Sequence, residues 1–139
     1  MAKIRRVQEQ DHEAILALWE TTGLAQTTAD EWQALSSGPN SAILVAEDAG
    51  AVVGVAVATY DGWRAYLYHL AVHPDRRREG IGHDLVAAAE RYLAGTGARH
   101  AYVMVSEWNT EGLALVGETG FLPEGDIVLV KRLSVPAPV

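Results

Sequence analysis

Hydrophobic residues recur along this chain with two different spacings, and the alternation between the spacings predicts a mixed fold of helices and strands. Short, mostly apolar stretches rich in β-branched residues are typical of strands. They occupy residues 3–7, 42–47, 51–60, 65–72 and 101–105, and one or two further strands are predicted within 121–133. Stretches whose apolar side chains return every three or four residues are typical of amphipathic helices. Such helices are predicted after Asp11, after Thr28, and over 81–93 and 110–118.

Turn and capping residues separate these elements and fix their order. Thr28 and Glu31 have the spacing of a capping box at the start of the second helix. The resulting order, βααβββαβαβ, predicts an α/β (α+β) domain with a central sheet flanked by four helices. We expect one domain over residues 1–133 and a disordered tail over 134–139, which contains Pro136 and Pro138.

Composition and charge narrow the classes of function. The chain of 139 residues has no cysteine, which excludes disulfides, thiolate zinc sites and a cysteine nucleophile and suits a reducing cytoplasm. Residues 1–10 are basic without an apolar block behind them, and no segment has the length and apolar content to span a bilayer, so we expect neither a signal peptide nor a membrane anchor. The net charge of −7 argues against nucleic acid as a partner and is compatible with cationic partners such as amines.

The segment between the predicted fourth strand and third helix carries the most specific chemistry. Residues 72–82 contain three consecutive arginines and then Gly80 and Gly82 at the start of the helix. The unpaired N–H groups of a helix start, approached closely through glycine and flanked by arginine, favour a pyrophosphate. His83 and Asp84 do not fit a Walker A loop, and a Rossmann fingerprint would need a third glycine. Taken alone, the pattern fits a solvated arginine turn equally well.

Two motifs in this order resemble those of the GCN5-related (GNAT) acetyltransferases. Residues 77–82 have the pattern Arg-x-x-Gly-x-Gly, and they follow residues 70–74, in which the strand ends and a His-Pro pair begins the loop. This arrangement resembles the family's acyl-CoA loop. The Asn, Leu and Gly-Phe positions within 109–121 are similar to its later motif. Residues 60–64 and 131–133 further resemble the small bacterial YpeA-like branch.

The resemblance implies a mostly antiparallel sheet and acetyl-CoA as co-substrate, with no metal. The backbone groups of Leu70, Ala71 and Val72 would pair with the pantetheine arm. The residues of the loop and the helix start would hold the pyrophosphate through their backbone N–H groups: Arg77, Arg78, Glu79, Gly80, Ile81 and Gly82. Asn109 would touch the cofactor arm, or else it caps the helix that follows it.

The chain departs from the family at the positions that usually handle protons. The tyrosine that usually protonates the thiolate is replaced by Val116, and the glutamate used by some relatives as a base is replaced by Met104. Tyr68, or failing it Tyr66, is therefore a candidate acid on one strand face, since arylalkylamine acetyltransferases resemble this stretch and carry histidine at both positions. Plain packing of both tyrosines is the alternative.

Other candidates have weaker support from the sequence. Glu107 is a candidate base if its loop faces the acceptor; otherwise it is a solvated carboxylate. Glu20 and Glu31 would attract a cationic acceptor, or else they are ordinary solvent-exposed charges. Trp19 or Trp32 would line the acceptor pocket, although core packing explains most of the tryptophans. The histidines have no metal-binding spacing.

The leading hypothesis is transfer of acetyl from acetyl-CoA to a primary amine, of a small molecule or a peptide, by direct attack in a ternary complex. The chain lacks a cysteine and a recognisable Ser-His pair, so a covalent relay is not supported. The rival hypothesis is a degenerate acyl-CoA-binding sensor, motivated by the missing tyrosine. A nucleic-acid role for the arginines conflicts with the net charge. A homodimer is left open.

Overall fold

A computed structural model describes residues 1–134, which form a five-stranded sheet flanked by four helices. The strands are β1 (Lys3–Arg6), β2 (Ser41–Asp48), β3 (Ala51–Tyr60), β4 (Ala65–Val72) and β5 (Ala101–Val103). The helices are α1 (His12–Thr22), α2 (Ala29–Ser37), α3 (Ile81–Thr96) and α4 (Thr110–Glu118). The predicted tail lies outside the described residues from 135 onward.

The strands lie side by side in their order along the chain, so that β1 and β5 form the two edges. Neighbouring strands from β1 to β4 pair antiparallel, and only β4 and β5 pair parallel. This parallel pair requires a crossover, which α3 supplies between the two strands. The mixed, mostly antiparallel sheet with four helices confirms the predicted fold class.

The helices cover the two faces of the sheet and create a core on each. One core packs α3 against the sheet through Leu44, Ala56, Leu67 and Leu85. The other packs α1 and α2 against the opposite face through Trp19, among others. The central strands β2 and β3 are therefore buried on both faces, which explains their long uninterrupted apolar runs. Within residues 1–134, no helix combines the length and the apolar content that crossing a membrane requires.

The prediction of strands after Phe121 is wrong for the described part of that segment. Residues 121–134 contain neither helix nor strand, and β5 ends at Val103 rather than at residue 105. A β-type sequence forms a strand only where a neighbouring strand supplies hydrogen bonds. Phe121 still packs against the α3 core, but the large apolar residues that follow it are exposed.

A charged cluster fastens β1 to β2 and to the start of α1. The Arg5 guanidinium donates hydrogen bonds to both carboxylate oxygens of Asp11, at 2.7 and 3.0 Å, and to Glu47 at 3.1 Å. The backbone N–H of Gln8 also donates to Asp11, at 2.7 Å. Asp11 is buried, and the hydrogen bonds from Arg5 hold the pKa of its carboxyl below the ordinary value.

Asp11→Asn is expected to lower the free energy of unfolding at pH 7 by about 1 kcal/mol, since one charge-assisted contact is lost while Arg5 keeps Glu47 and water. Because the pKa of Asp11 is lower in the folded state, its contribution is complete above the unfolded value of 3.8. It is lost as the pH falls through the folded-state pKa. Urea unfolding at pH 7 and at pH 3 measures the loss of stability in the variant and the dependence of this loss on pH.

The exposed Asp75 provides the matched control, because Asp75→Asn makes the same change in net charge. The difference in stability between wild type and Asp11→Asn should shrink at pH 3, whereas Asp75→Asn should leave stability nearly unchanged at both values. An equal deficit at both pH values would contradict the assigned ion pair.

Candidate active site

β4 and β5 separate part-way along their length and leave one edge of β4 free. They pair only through three residue pairs, which end at Leu67↔Val103. β4 continues to Val72, and its other edge stays paired with β3 as far as Gly54↔Val72. Leu70, Ala71 and Val72 therefore lie on a strand edge that has no partner strand among residues 1–134. This is the stretch for which the family resemblance implies pairing with a pantetheine arm.

His69 kinks β4 at the point where the two strands part. It has φ of +50°, a left-handed conformation that is uncommon for a residue with a side chain. The indole N–H of Trp19 donates to the His69 carbonyl at 3.2 Å, and the two rings meet edge to face at 5.0 Å. The His69 imidazole Nε2 lies 3.0 Å from the Ala25 carbonyl in the loop between α1 and α2. The kink is thus held from both α1 and the loop behind it.

Sequence reasoning missed this bulge, although a signal was present. The β4 residues that pack toward α3 are Ala65, Leu67, Leu70 and Val72, so the alternation slips by one residue between the second and the third. A strand with an unbroken period of two cannot do this, and one extra residue at a bulge accounts for it. The apolar pattern places the extra residue at Tyr68 or His69, and the positive φ of His69 identifies it.

Tyr66 and Tyr68 lie before the bulge and share the sheet face covered by α1 and α2, as the period of two predicts. Tyr68 is half-buried against the core on that face and meets the His69 ring edge to face at 5.7 Å. Burial raises the pKa of the Tyr68 hydroxyl above its ordinary value. Tyr66 lies one step closer to the strand start, with its ring 5.7 Å from that of Tyr102 on β5. Of the two, Tyr68 lies nearer the free edge.

The loop after β4 ends at Gly80, which caps α3 with φ of +84°. A Cβ atom added there would meet no heavy atom within 4 Å, so the space in front of this helix start is open. The N–H groups of the following residues, including Ile81, have no carbonyl partner within the helix. The helix dipole and these N–H groups together make the start of α3 a place where an anion is stabilised.

The three arginines of the loop are not equally available to such an anion. Arg76 binds the Glu79 carboxylate and also Asp48 at 2.6 Å, and it lowers the pKa of both carboxyls. Arg77 pairs with the exposed Glu111 of α4 at 2.8 Å, an ion pair of the kind that contributes little. Among residues 1–134, no carboxylate pairs with Arg78. The predicted contact residue Glu79 thus serves to neutralise Arg76.

Gly82 lies in the first turn of α3 and has a packing role that the sequence did not reveal. A Cβ atom there would lie 2.7 Å from the Leu115 side chain, so glycine lets α4 approach α3 closely. Asn109 caps α4, since its side-chain oxygen accepts a hydrogen bond from the Gly112 N–H at 3.0 Å. The capping interpretation of Asn109 is confirmed, and its contact with a cofactor stays a prediction.

The remaining candidates divide into exposed and buried side chains. Glu107 is exposed in a turn after β5, Met104 is half-exposed, and Val116 is buried in α4. Trp19 and Trp32 are both buried between α1, α2 and the sheet, as the core-packing interpretation predicts, and a role for either in the wall of an acceptor pocket stays a prediction.

The two helical glutamates have different surroundings. The Glu31 carboxylate accepts a hydrogen bond from the Thr28 N–H in the predicted capping box. Glu20 lines a shallow groove of about 770 Å³ along α1, together with Glu13 and the loop that follows the helix. Among residues 1–134, no cluster of three histidine or acidic side chains is placed to hold a metal ion.

Comparison with known proteins gives evidence about the family that is independent of the site's geometry. A sequence model described as the acetyltransferase (GNAT) family matches residues 4–121. An acetyltransferase from Yersinia enterocolitica is 33% identical over 136 residues, which cover 96% of each chain.

Solved structures resemble the whole fold. The crystal structure of a transcriptional regulator from Bacillus halodurans superposes with a TM-score of 0.83, covering 95% of this chain and 100% of the other at 18% identity. AAC(6')-Iy, solved with the bisubstrate analogue CoA-S-monomethyl-acetylneamine, superposes with a TM-score of 0.81, covering 96% and 99% at 18% identity. At such identities the likeness is one of fold.

Proposed function

The chain belongs to the GNAT family of acetyltransferases, and we propose that it transfers an acetyl group from acetyl-CoA to a primary amine by direct attack in a ternary complex. One observation carries the proposal. The free edge of β4 from Leu70 to Val72 leads through a short loop to the open, glycine-capped start of α3. An extended amide chain ending in a pyrophosphate matches this sequence of binding groups.

The residues that would hold acetyl-CoA divide by chemistry. The backbone groups of Leu70, Ala71 and Val72 would bind the pantetheine amides as a neighbouring strand does. The N–H groups at the start of α3 would bind the pyrophosphate, because Gly80 has no side chain to cap them. Arg77 and Arg78 would add charge, since Arg76 is already neutralised by Asp48 and Glu79.

Acetyl-CoA supplies an acyl group that a neutral amine attacks at the carbonyl carbon, with loss of the thiol. A lysine-like amine is mostly protonated at pH 7, and deprotonating it costs about 4.6 kcal/mol. Tyr68 would donate a proton to the departing sulfur, because burial keeps its hydroxyl protonated, and the proton that nitrogen loses on forming the amide would return to Tyr68 through water. The kinked His69, fastened by Trp19, fixes the backbone next to Tyr68. The chain has no cysteine to carry a covalent acyl group.

The acceptor would be a cationic small molecule or peptide amine. The net charge of −7, and the exposed Glu13 and Glu20 along α1, attract cations to this surface. We place the activity in the cytoplasm, where acetyl-CoA is available, and assign no role in nucleic-acid binding.

The test combines binding and turnover on the same protein. Calorimetry should show acetyl-CoA binding, and a panel of amines should include at least one that releases free thiol above the rate of thioester hydrolysis. Desulfo-CoA is the control ligand for binding without chemistry. Binding without any amine-dependent release would favour the sensor hypothesis, and absence of binding would refute the proposed site.

A further inference from the structure

The turn between β3 and β4 fixes the position of one arginine, Arg64, to which the proposed function gives no role. The Asp61 carboxylate accepts hydrogen bonds from the backbone N–H groups of Trp63 and Arg64, at 2.8 and 2.7 Å. The Tyr60 hydroxyl donates to the Gly62 carbonyl at 2.7 Å. These contacts hold the backbone from which the Arg64 side chain leaves the turn.

The Arg64 side chain lies over aromatic rings rather than beside a carboxylate. Its guanidinium carbon stands 4.5 Å from the centroid of the Trp63 ring and 5.4 Å from that of the Tyr102 ring. Its Nη1 donates a hydrogen bond to the Tyr102 hydroxyl at 3.1 Å. Among residues 1–134, no carboxylate forms an ion pair with Arg64. An arginine stacked in this way keeps its charge and most of its N–H donors for a further partner.

Arg64 lines a groove that leads to the point where β4 and β5 part. The groove has a volume of about 1290 Å³ and follows β5 from Ala101 to residues 104–106. The last pair between the two strands is Leu67↔Val103, so residues 104–106 begin where the free edge of β4 begins. Leu67 follows Arg64 by a distance that corresponds to roughly 10 Å along a strand. A ligand in this groove can therefore contact Arg64 at one end and the proposed reaction centre at the other.

The groove carries charges of both signs. Among the described residues that line it, Arg64 is the one arginine or lysine, and three side chains are carboxylates: Glu90, Glu124 and Asp126. A purely cationic ligand would be repelled by Arg64, and a purely anionic ligand would be repelled by the carboxylates. A ligand with an ammonium group at one end and an oxyanion at the other is complementary to both.

We propose that Arg64 binds an oxyanion of the acceptor, a carboxylate or a phosphate, and so selects amines that carry this group about 10 Å from the reacting nitrogen. A planar guanidinium binds either oxyanion through parallel N–H donors, and the rings of Trp63 and Tyr102 hold it in place before the acceptor arrives. The inference rests on the proposed acetyl transfer. It narrows the acceptor from any primary amine to an amine with an anionic far end.

The test compares acceptors that differ only in the group at the far end. Triglycine spans about 10 Å when extended, and triglycinamide has the same length without the carboxylate. Wild type should use triglycine with a kcat/KM roughly tenfold or more above that for triglycinamide, because the amide loses the charge-assisted hydrogen bonds to Arg64. The pair of 6-aminohexyl phosphate and 6-aminohexanol makes the same comparison for a phosphate, so the two pairs distinguish the two oxyanions.

Arg64→Gln should abolish the preference, lowering kcat/KM for the anionic acceptor while that for the neutral acceptor stays near the wild-type value. Arg6→Gln is the matched control, because Arg6 also lies over a tyrosine ring, that of Tyr92 at 5.1 Å, but outside the groove. It should keep the preference.

Two results would overturn the proposal. The first is a wild type that shows no preference in either pair of acceptors. The second is an Arg64→Gln variant that keeps the preference or loses kcat/KM equally for anionic and neutral acceptors, as a merely structural role of Arg64 requires. If no amine in these pairs or in a wider panel releases thiol, acetyl transfer itself is wrong and the inference fails with it.

Discussion

Tyr68→Phe is expected to lower kcat roughly 10²-fold on the best amine substrate, because the variant keeps the ring and loses only the proton donor. The ring packs against the core shared by α1, α2 and the sheet, so the fold should survive the change. Burial raises the pKa of the Tyr68 hydroxyl above its ordinary value, so the acid stays protonated throughout the neutral range. The kcat of wild type should therefore show no loss from ionisation of Tyr68 in that range.

Tyr66→Phe is the matched control for this experiment. It removes a hydroxyl from the same strand face, two residues further from the free edge of β4, and should change kcat much less. KM for acetyl-CoA should stay near the wild-type value in both variants, because neither hydroxyl is assigned to binding. If both variants keep a normal kcat while chemistry limits the rate, the tyrosine proposal is wrong and water carries the proton.

Gly80→Val is expected to weaken acetyl-CoA binding at least tenfold, which corresponds to about 1.4 kcal/mol or more. With φ of +84°, position 80 disfavours any β-branched residue, so the loop must rearrange. The new side chain would also stand in the open space before the N–H groups of α3, where the pyrophosphate is expected.

A control for backbone strain is available at the other end of the same helix. Gly97 also caps α3 with positive φ, at +98°, and also has no neighbour within 4 Å of an added Cβ. Gly97→Val should destabilise the fold by a similar amount and leave the affinity for acetyl-CoA unchanged. Calorimetry on both folded variants measures their affinity for acetyl-CoA. If Gly80→Val and Gly97→Val bind acetyl-CoA equally well, the result would count against the phosphate role of position 80.

The sequence predicted those parts of the fold that depend on local chemistry. The helix caps at Thr28 and Asn109 depend on residues close to them in the chain, and so do the apolar runs of β2 and β3. The structure contains both caps and both strands at the positions considered from the sequence. The segment after Phe121 shows the limit of this reasoning. Its residues favour a strand, but pairing is a long-range property, and no local pattern states whether an edge is available.

The site was predicted unevenly for the same reason. A glycine followed by a helix start can be recognised in the chain, so the glycine-capped start of α3 could be predicted from its residues, and its role in binding a pyrophosphate stays a prediction. The ion pairs of the arginines could not be predicted, because Arg76 binds Asp48, which is distant in sequence and lies at the end of β2. The burial of Trp19 is likewise decided by how α1 lies on the sheet.

The contact between His69 and Ala25 fixes the chemical form of one imidazole. The Ala25 carbonyl can only accept a hydrogen bond, so Nε2 of His69 must carry a proton. In the neutral ring this selects the Nε2–H tautomer and leaves Nδ1 as a free acceptor. The same hydrogen bond ties the loop between α1 and α2 to the kink in β4, so this loop helps to fix the backbone beside Tyr68.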